Sequence, residues 1–333
     1  MSDAQSIKLP TLSVVVPVHN EVDALPDFHR ELTRVVGNMA VVPEYIYVDD
    51  GSTDDSWQLI KTFGGDVRRI RFSRNFGKEA ALSAGLDVAS GDAIVVIDAD
   101  LQHPPEVIVE LYARWLAGYK IVCAARANRD TDGPLRRFAS RSFYRTFNSL
   151  SDQPIPRGVS DFRLMDRRVV DIVRLMPEKS RFMKAILSWP GFDMDIVPFE
   201  VAPRAGGTSK FSPFRLWRFG LDGLFNFSSK PLQVWMYLGL TTIALSIVIF
   251  IVIVIGYIVS GASVSGYRTV IALLIGVSGV QILGIGMLGE YLARVFIEVK
   301  RRPLYVVSES NVAPGSDNDW AHIRGELATF PPV

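Results

Sequence analysis

In the stretch AIVVIDADLQ (Ala93–Gln102), five consecutive apolar residues run directly into Asp98-Ala99-Asp100. An apolar run so short, rich in Ile and Val, reads as a buried strand. The two acids then fall where the chain leaves a sheet, with Ala99 letting them face one ligand as the strand pattern breaks. The same arrangement recurs on both sides. Leu12–Val16 leads into Pro17-Val18-His19-Asn20-Glu21, and Tyr45–Val48 leads into Asp49-Asp50-Gly51-Ser52. Val67–Phe72 and Lys120–Ala125 also read as strands. Helical patterns at Asp23–Val36, Asp54–Phe63, Lys78–Ala89 and Pro105–Ala117 separate these runs. Strand and helix alternating in this way predict an α/β fold with a Rossmann-like, mostly parallel sheet covered on both faces. In such sheets ligands bind beyond the carboxyl ends of the strands, so the three polar clusters are expected at one edge.

The acids suggest chemistry as well as position. Asp98 and Asp100, with Gln102 as a further oxygen donor, suit Mg²⁺ or Mn²⁺ bridging a diphosphate, because both are hard cations that prefer oxygen ligands. Such a metal neutralises charge on a departing nucleotide diphosphate. Taken by itself, Asp-x-Asp is a weak signal, because acidic pairs commonly occupy solvated loops. A carboxylate in the second cluster can accept hydrogen bonds from a base or a ribose, and Gly51 permits a tight turn there. Ser52 or Asp54 could instead cap a helix. No G-x-x-x-x-G-K-[ST] phosphate loop is present, which argues against a P-loop nucleotidase.

Composition bounds the rest. Lys+Arg number 36 against 35 Asp+Glu, a net charge of +1 that excludes a global nucleic-acid binder. The lone cysteine, Cys123, rules out an internal disulfide and is expected in the core of a protein from a reducing compartment. Met1–Pro10 is polar and does not resemble a signal peptide. The apolar excess is concentrated late in the chain. Pro231–Tyr267 and Thr269–Gly289 contain no charged residue, and each can supply the ~20 apolar residues that cross a bilayer. Lys210, Arg215, Arg218 and Lys230 precede the first span, and Arg294, Lys300, Arg301 and Arg302 follow the second, while the connector offers only Arg268. Basic flanks of this kind place both ends, and the large N-terminal domain, in the cytoplasm. The division expected is a catalytic domain over 1–210, an interfacial amphipathic helix over 211–230, two transmembrane helices over 231–292 and a cytoplasmic tail over 293–333. Leu135–Asn148 and Pro213–Phe227 also look helical. The second mixes Arg215 and Arg218 with Phe214, Trp217, Phe219 and Phe225, which fits either a bilayer interface or a buried domain helix.

Taken in order, PVHNE, DDGSTDDS, SRNFGKEAALSAG, DADLQHPPE, GVSDFRLMDRRVV, RFMKAIL and RAGGTSKF resemble the family 2 glycosyltransferases of the GT-A fold. The likeness is to the polyprenyl-phosphate branch, which includes dolichol-phosphate mannose synthases and bactoprenol glucosyltransferases, and it extends to the ending KRRPLYVV. The resemblance implies that Pro17, Glu21, Asp50 and Asp98 hold the nucleoside, with Ser52 and Lys78 beside them. It implies that Asp98, Asp100 and Gln102 serve the metal and diphosphate. Arg126, Arg136 and Ser140 would cradle the lipid phosphate, and Arg204, Ser209 and Lys210 would close over the diphosphate. Asp161 matches the family's candidate base, with Arg163 as a phosphate ligand or an ion-pair partner. Because a phosphate monoester has a second pKa near ~6, Asp161 either deprotonates the acceptor or orients it. Lys78 opens a helix and reads as a phosphate ligand or a solvated first-turn lysine. Where many relatives carry Tyr this chain has His19, a pocket-shaping residue in this reading, while His29 and His103 read as structural.

The function implied is inverting transfer of a hexose from a nucleotide sugar, UDP-glucose favoured, to polyprenyl (undecaprenyl or bactoprenol) phosphate at the cytoplasmic face of the inner membrane. Such a lipid-linked sugar would supply cell-surface glycans, lipopolysaccharide or cell wall. Implied partners are membrane lipids, further copies of the chain in a homo-oligomer such as a tetramer, and a flippase. GDP-mannose or a modified UDP-sugar are alternative donors. A processive polysaccharide synthase would carry a Gln-x-x-Arg-Trp motif, which is missing here. An inactive lipid-binding partner of a flippase would have no need of Asp98, Asp100 and Asp161 together.

Overall fold

β1 (Thr11–Val18) is the strand on which the sheet is organised. Leu12, Val14, Val15 and Val16 are all fully buried, as expected of a strand covered on both faces. It lies between β2 (Val42–Asp49) and β4 (Ala93–Val96), parallel to both, and β3 (Val67–Phe72) continues the parallel set beyond β2. The computed structural model describes residues 9–65, 67–126, 159–176, 178, 181, 183–187, 189–200, 230–260, 266–300 and 302–312. Eight strands are ordered β7-β5-β6-β4-β1-β2-β3-β8, where β5 is Ile121–Arg126, β6 Val159–Asp166, β7 Met194–Phe199 and β8 Val307–Ser310. β6 runs antiparallel between β4 and β5, and β8 is antiparallel to β3. The rest of the sheet is parallel.

Helices α1 (Leu25–Gly37), α2 (Ser56–Thr62), α3 (Lys78–Val88), α4 (Val107–Leu116), α5 (Arg167–Leu175) and α6 (Met183–Ile186) accompany the sheet. The five strands and four helices expected between residues 12 and 125 are all present, with ends shifted by a few residues. α1 buries Leu25, Phe28, Leu32, Val35 and Val36 along one stripe, the spacing of an amphipathic helix. α3 is small-residue rich on its sheet face, and a Cβ at Gly85 would collide with Val15. Burying a Val, Leu or Ile side chain contributes ~1.5–3 kcal/mol, so β1 with α1 and α3 forms much of the cohesive centre. Cys123 is free and fully buried. His29 stacks on Phe63, ring centres 3.9 Å apart, and its Nδ1 lies 2.8 Å from the Tyr47 hydroxyl, so it packs as a half-buried structural residue.

A second compact unit holds α7 (Lys230–Ser260) and α8 (Tyr267–Val299), whereas residues 302–312 belong to the first unit with the sheet. Within them, Tyr237–Gly256 and Gly276–Val299 are long and apolar enough to cross a membrane. Ile247, Val252, Ile258, Leu283 and Leu288 are all exposed, the reverse of what a water-facing helix pair would show. Gly284 on α8 lets the Trp235 ring of α7 approach, since a Cβ there would overlap the indole.

Candidate active site

The carboxyl ends of β1, β2 and β4 do meet at one edge, and hydrogen bonds lace their loops together. Asn20, at φ +55°, donates its backbone N–H to Ser52 Oγ at 3.0 Å, and its side-chain oxygen accepts from Thr53 N at 2.8 Å. Glu21 N donates to Ser56 Oγ at 3.0 Å, and Val22 N to Asp54 at 3.3 Å. Ser52 is buried, and its N–H reaches Asp49 Oδ1 at 3.2 Å across the turn at Gly51. Gly51 has φ +63°, and any Cβ there would strike the Arg74–Asn75 backbone, so glycine is required. Pro17 sits past the last β4 residue paired with β1, where a missing N–H costs the sheet no ladder bond on that side.

Asp50 is buried. Its carboxylate accepts from Phe76 N at 2.7 Å and from Gly77 N at 3.0 Å, fixing the turn that starts α3. Burial pushes its carboxyl upward, opposed by those two backbone bonds. An ionised carboxylate has about four lone-pair sites, so capacity for a ligand remains. His19 joins the same structure: Nδ1 lies 2.9 Å from the Asp50 carbonyl and Nε2 3.0 Å from the Asn75 amide nitrogen. A carbonyl can only accept, so Nδ1 carries the proton and Nε2 receives the Asn75 N–H. His19 is therefore a loop tie.

Lys78, the first residue of α3, stands between two acids. Its Nζ lies 2.6 Å from Asp98 Oδ1 and 2.9 Å from Asp161 Oδ2. Burial works against the charged ammonium, but Asp98 and Asp161 outweigh it and hold its pKa above the usual range. The antiparallel register explains Asp161. Val96 faces Arg163, so the residue two before Arg163 lies beyond the end of β4, beside Asp98. Arg163 is buried, holds the Ser160 carbonyl at 2.9 Å and reaches the Asp161 carboxylate at 3.9 Å. This favours the ion-pair reading of Arg163 over a phosphate ligand. Lys78 is likewise an ion-pair partner in this structure, with its side chain still partly open to solvent.

Three features had no signal in the sequence reading. Leu101, directly after Asp100, has φ +56°, a conformation rarely adopted by a bulky residue. Backbone held in this way collects at functional sites. His103, read as structural, packs between Phe162 and Phe199 with Nδ1 3.7 Å from Asp98 Oδ2, so it also borders the acid cluster. Glu79 accepts from Met183 N at 3.2 Å, and burial together with Asp161 raises its pKa to about 7.

Among the described residues no group of three or more His, Cys, Asp or Glu converges as a metal cage. Two carboxylates fit a different kind of site, in which Mg²⁺ or Mn²⁺ takes its remaining oxygens from phosphates and water. Charge density supports that fit. Glu21 has its carboxyl raised by burial and then by Asp100 and Asp98, so several acids share one field that a cation would relieve. Asp100 also accepts from Gln102 N at 3.1 Å, folding the loop back on itself. Arg126 ends β5 opposite Phe199, at the same sheet edge, and its side chain lies outside the described residues. Arg136, Ser140, Arg204, Ser209, Lys210 and the expected helices Leu135–Asn148 and Pro213–Phe227 lie outside them too.

A mostly parallel sheet with one antiparallel strand beside β4, and with Asp98, Asp100 and Asp161 gathered at its carboxyl edge, is the architecture of a nucleotide-sugar transferase. The family described as glycosyl transferase family 2 matches residues 13–173, and the chain belongs to it, as a glycosyltransferase of the GT-A fold. It is 43% identical over 303 residues to the SfII prophage-derived bactoprenol glucosyl transferase of Shigella flexneri, covering 90% of this chain and 98% of that one. It is 42% identical to the prophage bactoprenol glucosyl transferase homolog of Escherichia coli (strain K12), covering 89% and 98%. Among solved structures, it is similar to the glucosyl-3-phosphoglycerate synthase of Mycobacterium tuberculosis, with TM-score 0.45, 20% identity, and coverage of 65% and 78%.

Proposed function

We propose that this protein transfers a hexose, with UDP-glucose the favoured donor, to the phosphate of a polyprenyl lipid, and that it does so with inversion at the anomeric carbon. One observation carries the acceptor class: 43% identity to a bactoprenol glucosyl transferase across nearly the whole of both chains, the two apolar helices included. Donor and acceptor then meet at the edge that holds Asp98, Asp100, Lys78 and Asp161.

The reaction needs one bond made and one broken. A lipid-phosphate oxygen attacks the anomeric carbon, and the nucleoside diphosphate leaves with the bonding pair. Mg²⁺ or Mn²⁺, held by Asp98 and Asp100 with Gln102 adjacent, would supply the charge neutralisation that the departing diphosphate requires. Asp161 orients the acceptor in this scheme. Its carboxylate is paired with Lys78 at 2.9 Å and approached by Arg163 at 3.9 Å, contacts that hold it in one orientation beside the acceptor. A polyprenyl phosphate is a dianion for much of the time near neutral pH, with its second pKa near ~6, and needs no base in that state.

Chain topology supports the membrane placement. The strands β1–β7, which precede α7, and the strand β8 after α8 belong to one compact unit. Two spans between them return the chain to its starting side. The basic residues Lys210, Lys230, Lys300, Arg301 and Arg302 around the spans support the cytoplasm as that side. Membranes containing the protein, incubated with labelled UDP-glucose, GDP-mannose and other nucleotide sugars, should pass glucose label into the lipid phase. Label entering the lipid phase from another donor would refute the glucose assignment, and no lipid label from any donor would refute the acceptor class.

A further inference from the structure

Beyond the second apolar helix the chain returns to the sheet. β8 pairs with β3, setting Ser310 opposite Ile70 and Glu309 opposite Arg71. Ser73 N donates to the Val306 carbonyl at 3.0 Å, and Asn311 bonds both Arg69 N at 2.7 Å and the Val67 carbonyl at 2.8 Å. Tyr305 stacks on Phe72, ring centres 4.9 Å apart, and its hydroxyl donates to Asp87 at 2.9 Å. These contacts dock the strand. Glu309 does something else.

Its carboxylate accepts from Trp57 Nε1 at 3.0 Å and from Arg71 Nη1 at 3.1 Å. The Arg71 guanidinium lies 5.8 Å from the centre of the Trp57 ring, and its Nε is 3.3 Å from Asp49 Oδ2. Asp49 is completely buried, and that oxygen accepts no hydrogen bond among the described residues, leaving Arg71 as its charge partner. The other Asp49 oxygen accepts from Ser52 N and closes the turn that carries Asp50. A buried carboxylate without a counter-charge is costly, and in practice it protonates or rearranges. Glu309, Arg71, Asp49 and the Asp49–Ser52 turn thus form one continuous chain of contacts.

We propose that Arg71 and Glu309 are positioning residues for the donor site: β8, delivered from beyond the second apolar helix, holds the Arg71 guanidinium against buried Asp49 and so fixes the Asp49–Ser52 turn. This rests on the reading that the turn serves the nucleotide. The membrane anchor and the donor pocket are then linked by covalent chain, and the tail is part of the catalytic unit. Neither residue touches the reacting atoms.

The test uses the full-length protein in nanodiscs, with calorimetric titration of UDP-glucose and of GDP-mannose in the presence of Mn²⁺, and transfer kinetics against donor and polyprenyl phosphate. Glu309→Gln should weaken donor binding by about three- to fivefold, the upper part of the range for a partly exposed ion pair, and raise the donor KM while kcat and the acceptor KM hold. Arg71→Met, which strands the buried charge, should cost more than about tenfold. Ser310→Ala, on the same strand but with its hydroxyl engaged by Val312 N, should leave donor affinity unchanged. In an Asp49→Asn background Glu309→Gln should have no further effect, because the charge to be positioned has gone. Unchanged donor affinity in Glu309→Gln, equal losses for donor and acceptor, or additive effects in the Asp49→Asn background would each overturn the inference. If Asp50→Ala abolishes binding while Glu309→Gln does nothing, the donor reading survives and only this inference falls. A wild type that binds neither nucleotide sugar sinks both.

Discussion

Replacing Lys78 by Met removes the cation that separates Asp98 from Asp161 while keeping a side chain of similar length. Lys78 Nζ lies within 2.9 Å of a carboxylate oxygen on each, so those oxygens are less than about 6 Å apart. Two like charges at ~6 Å repel by about 3 kcal/mol at an effective dielectric of ~20. The three side chains are 39%, 22% and 27% exposed, and solvent screening lowers that to roughly 1–2 kcal/mol. A divalent cation at Asp98 and Asp100 would relieve this repulsion and would no longer compete with the ammonium. Lys78→Met should therefore bind Mn²⁺ about five- to thirtyfold more tightly in the absence of nucleotide, taking ~1.4 kcal/mol per decade. Transfer should nonetheless fall, because Asp161 loses the partner that orients it. Free Mn²⁺ can be counted by electron paramagnetic resonance during titration of the solubilised protein, and transfer measured on the same sample. Mn²⁺ affinity that is unchanged or weaker in the variant would refute the reasoning. It would place Lys78 outside the field of the metal site, or make it a brace for that site's shape.

Asp100→Ala should abolish transfer while the circular dichroism spectrum and membrane extraction behaviour stay those of the wild type; near-normal wild-type transfer in excess chelator would contradict the metal role. Glu79 carries a pH signature. Its folded pKa is raised from 4.5 to about 7 by burial and by Asp161, with Lys78 and Arg163 opposing. Both states are protonated well below 4.5. As pH climbs from 4.5 toward 7 the unfolded chain ionises first, so stability is lost across that window, by on the order of 3 kcal/mol at most. Glu79→Gln should then raise the thermal midpoint at pH 8 and leave it unchanged at pH 4, and an equal shift at both would rule the titration out. A domain cut before Pro231 lacks β8, Tyr305 and Glu309. It should melt below a version in which residues 302–312 are supplied again, and identical melting would show that the edge strand contributes nothing to the domain.

Much of the first 125 residues could be read from the chain alone, because the runs behind β1, β2 and β4 are short, apolar and followed at once by a polar cluster. Periodicity and burial are properties of a few neighbouring residues, and they suffice to place Asp98, Asp100, Glu21 and Ser52 at the carboxyl edge of a parallel sheet. The two uncharged stretches after Lys230 were legible for the same reason, since length and apolarity are local. The motifs also sufficed for family membership. What lay beyond reach was pairing across long sequence separations. Nothing in Ser160-Asp161-Phe162-Arg163 reveals that β6 runs antiparallel beside β4, and only that register brings Asp161 to Lys78 and Asp98. Lys78 alone could equally be a solvated first-turn lysine, and it becomes a bridge only once two strands deliver their acids to it. The sequence alone points His19 and Asp50 toward a ligand or a pocket wall, whereas folding spends Asp50 carboxylate capacity on the 76–77 backbone and ties His19 to the Asp50 carbonyl and the Asn75 side chain. The tail shows the limit most plainly. Val307–Ser310 is too short to announce a strand, and its partner β3 lies more than two hundred residues earlier. The Glu309–Arg71–Asp49 contact exists only because the chain, after two apolar helices, comes back to close the edge of its first sheet.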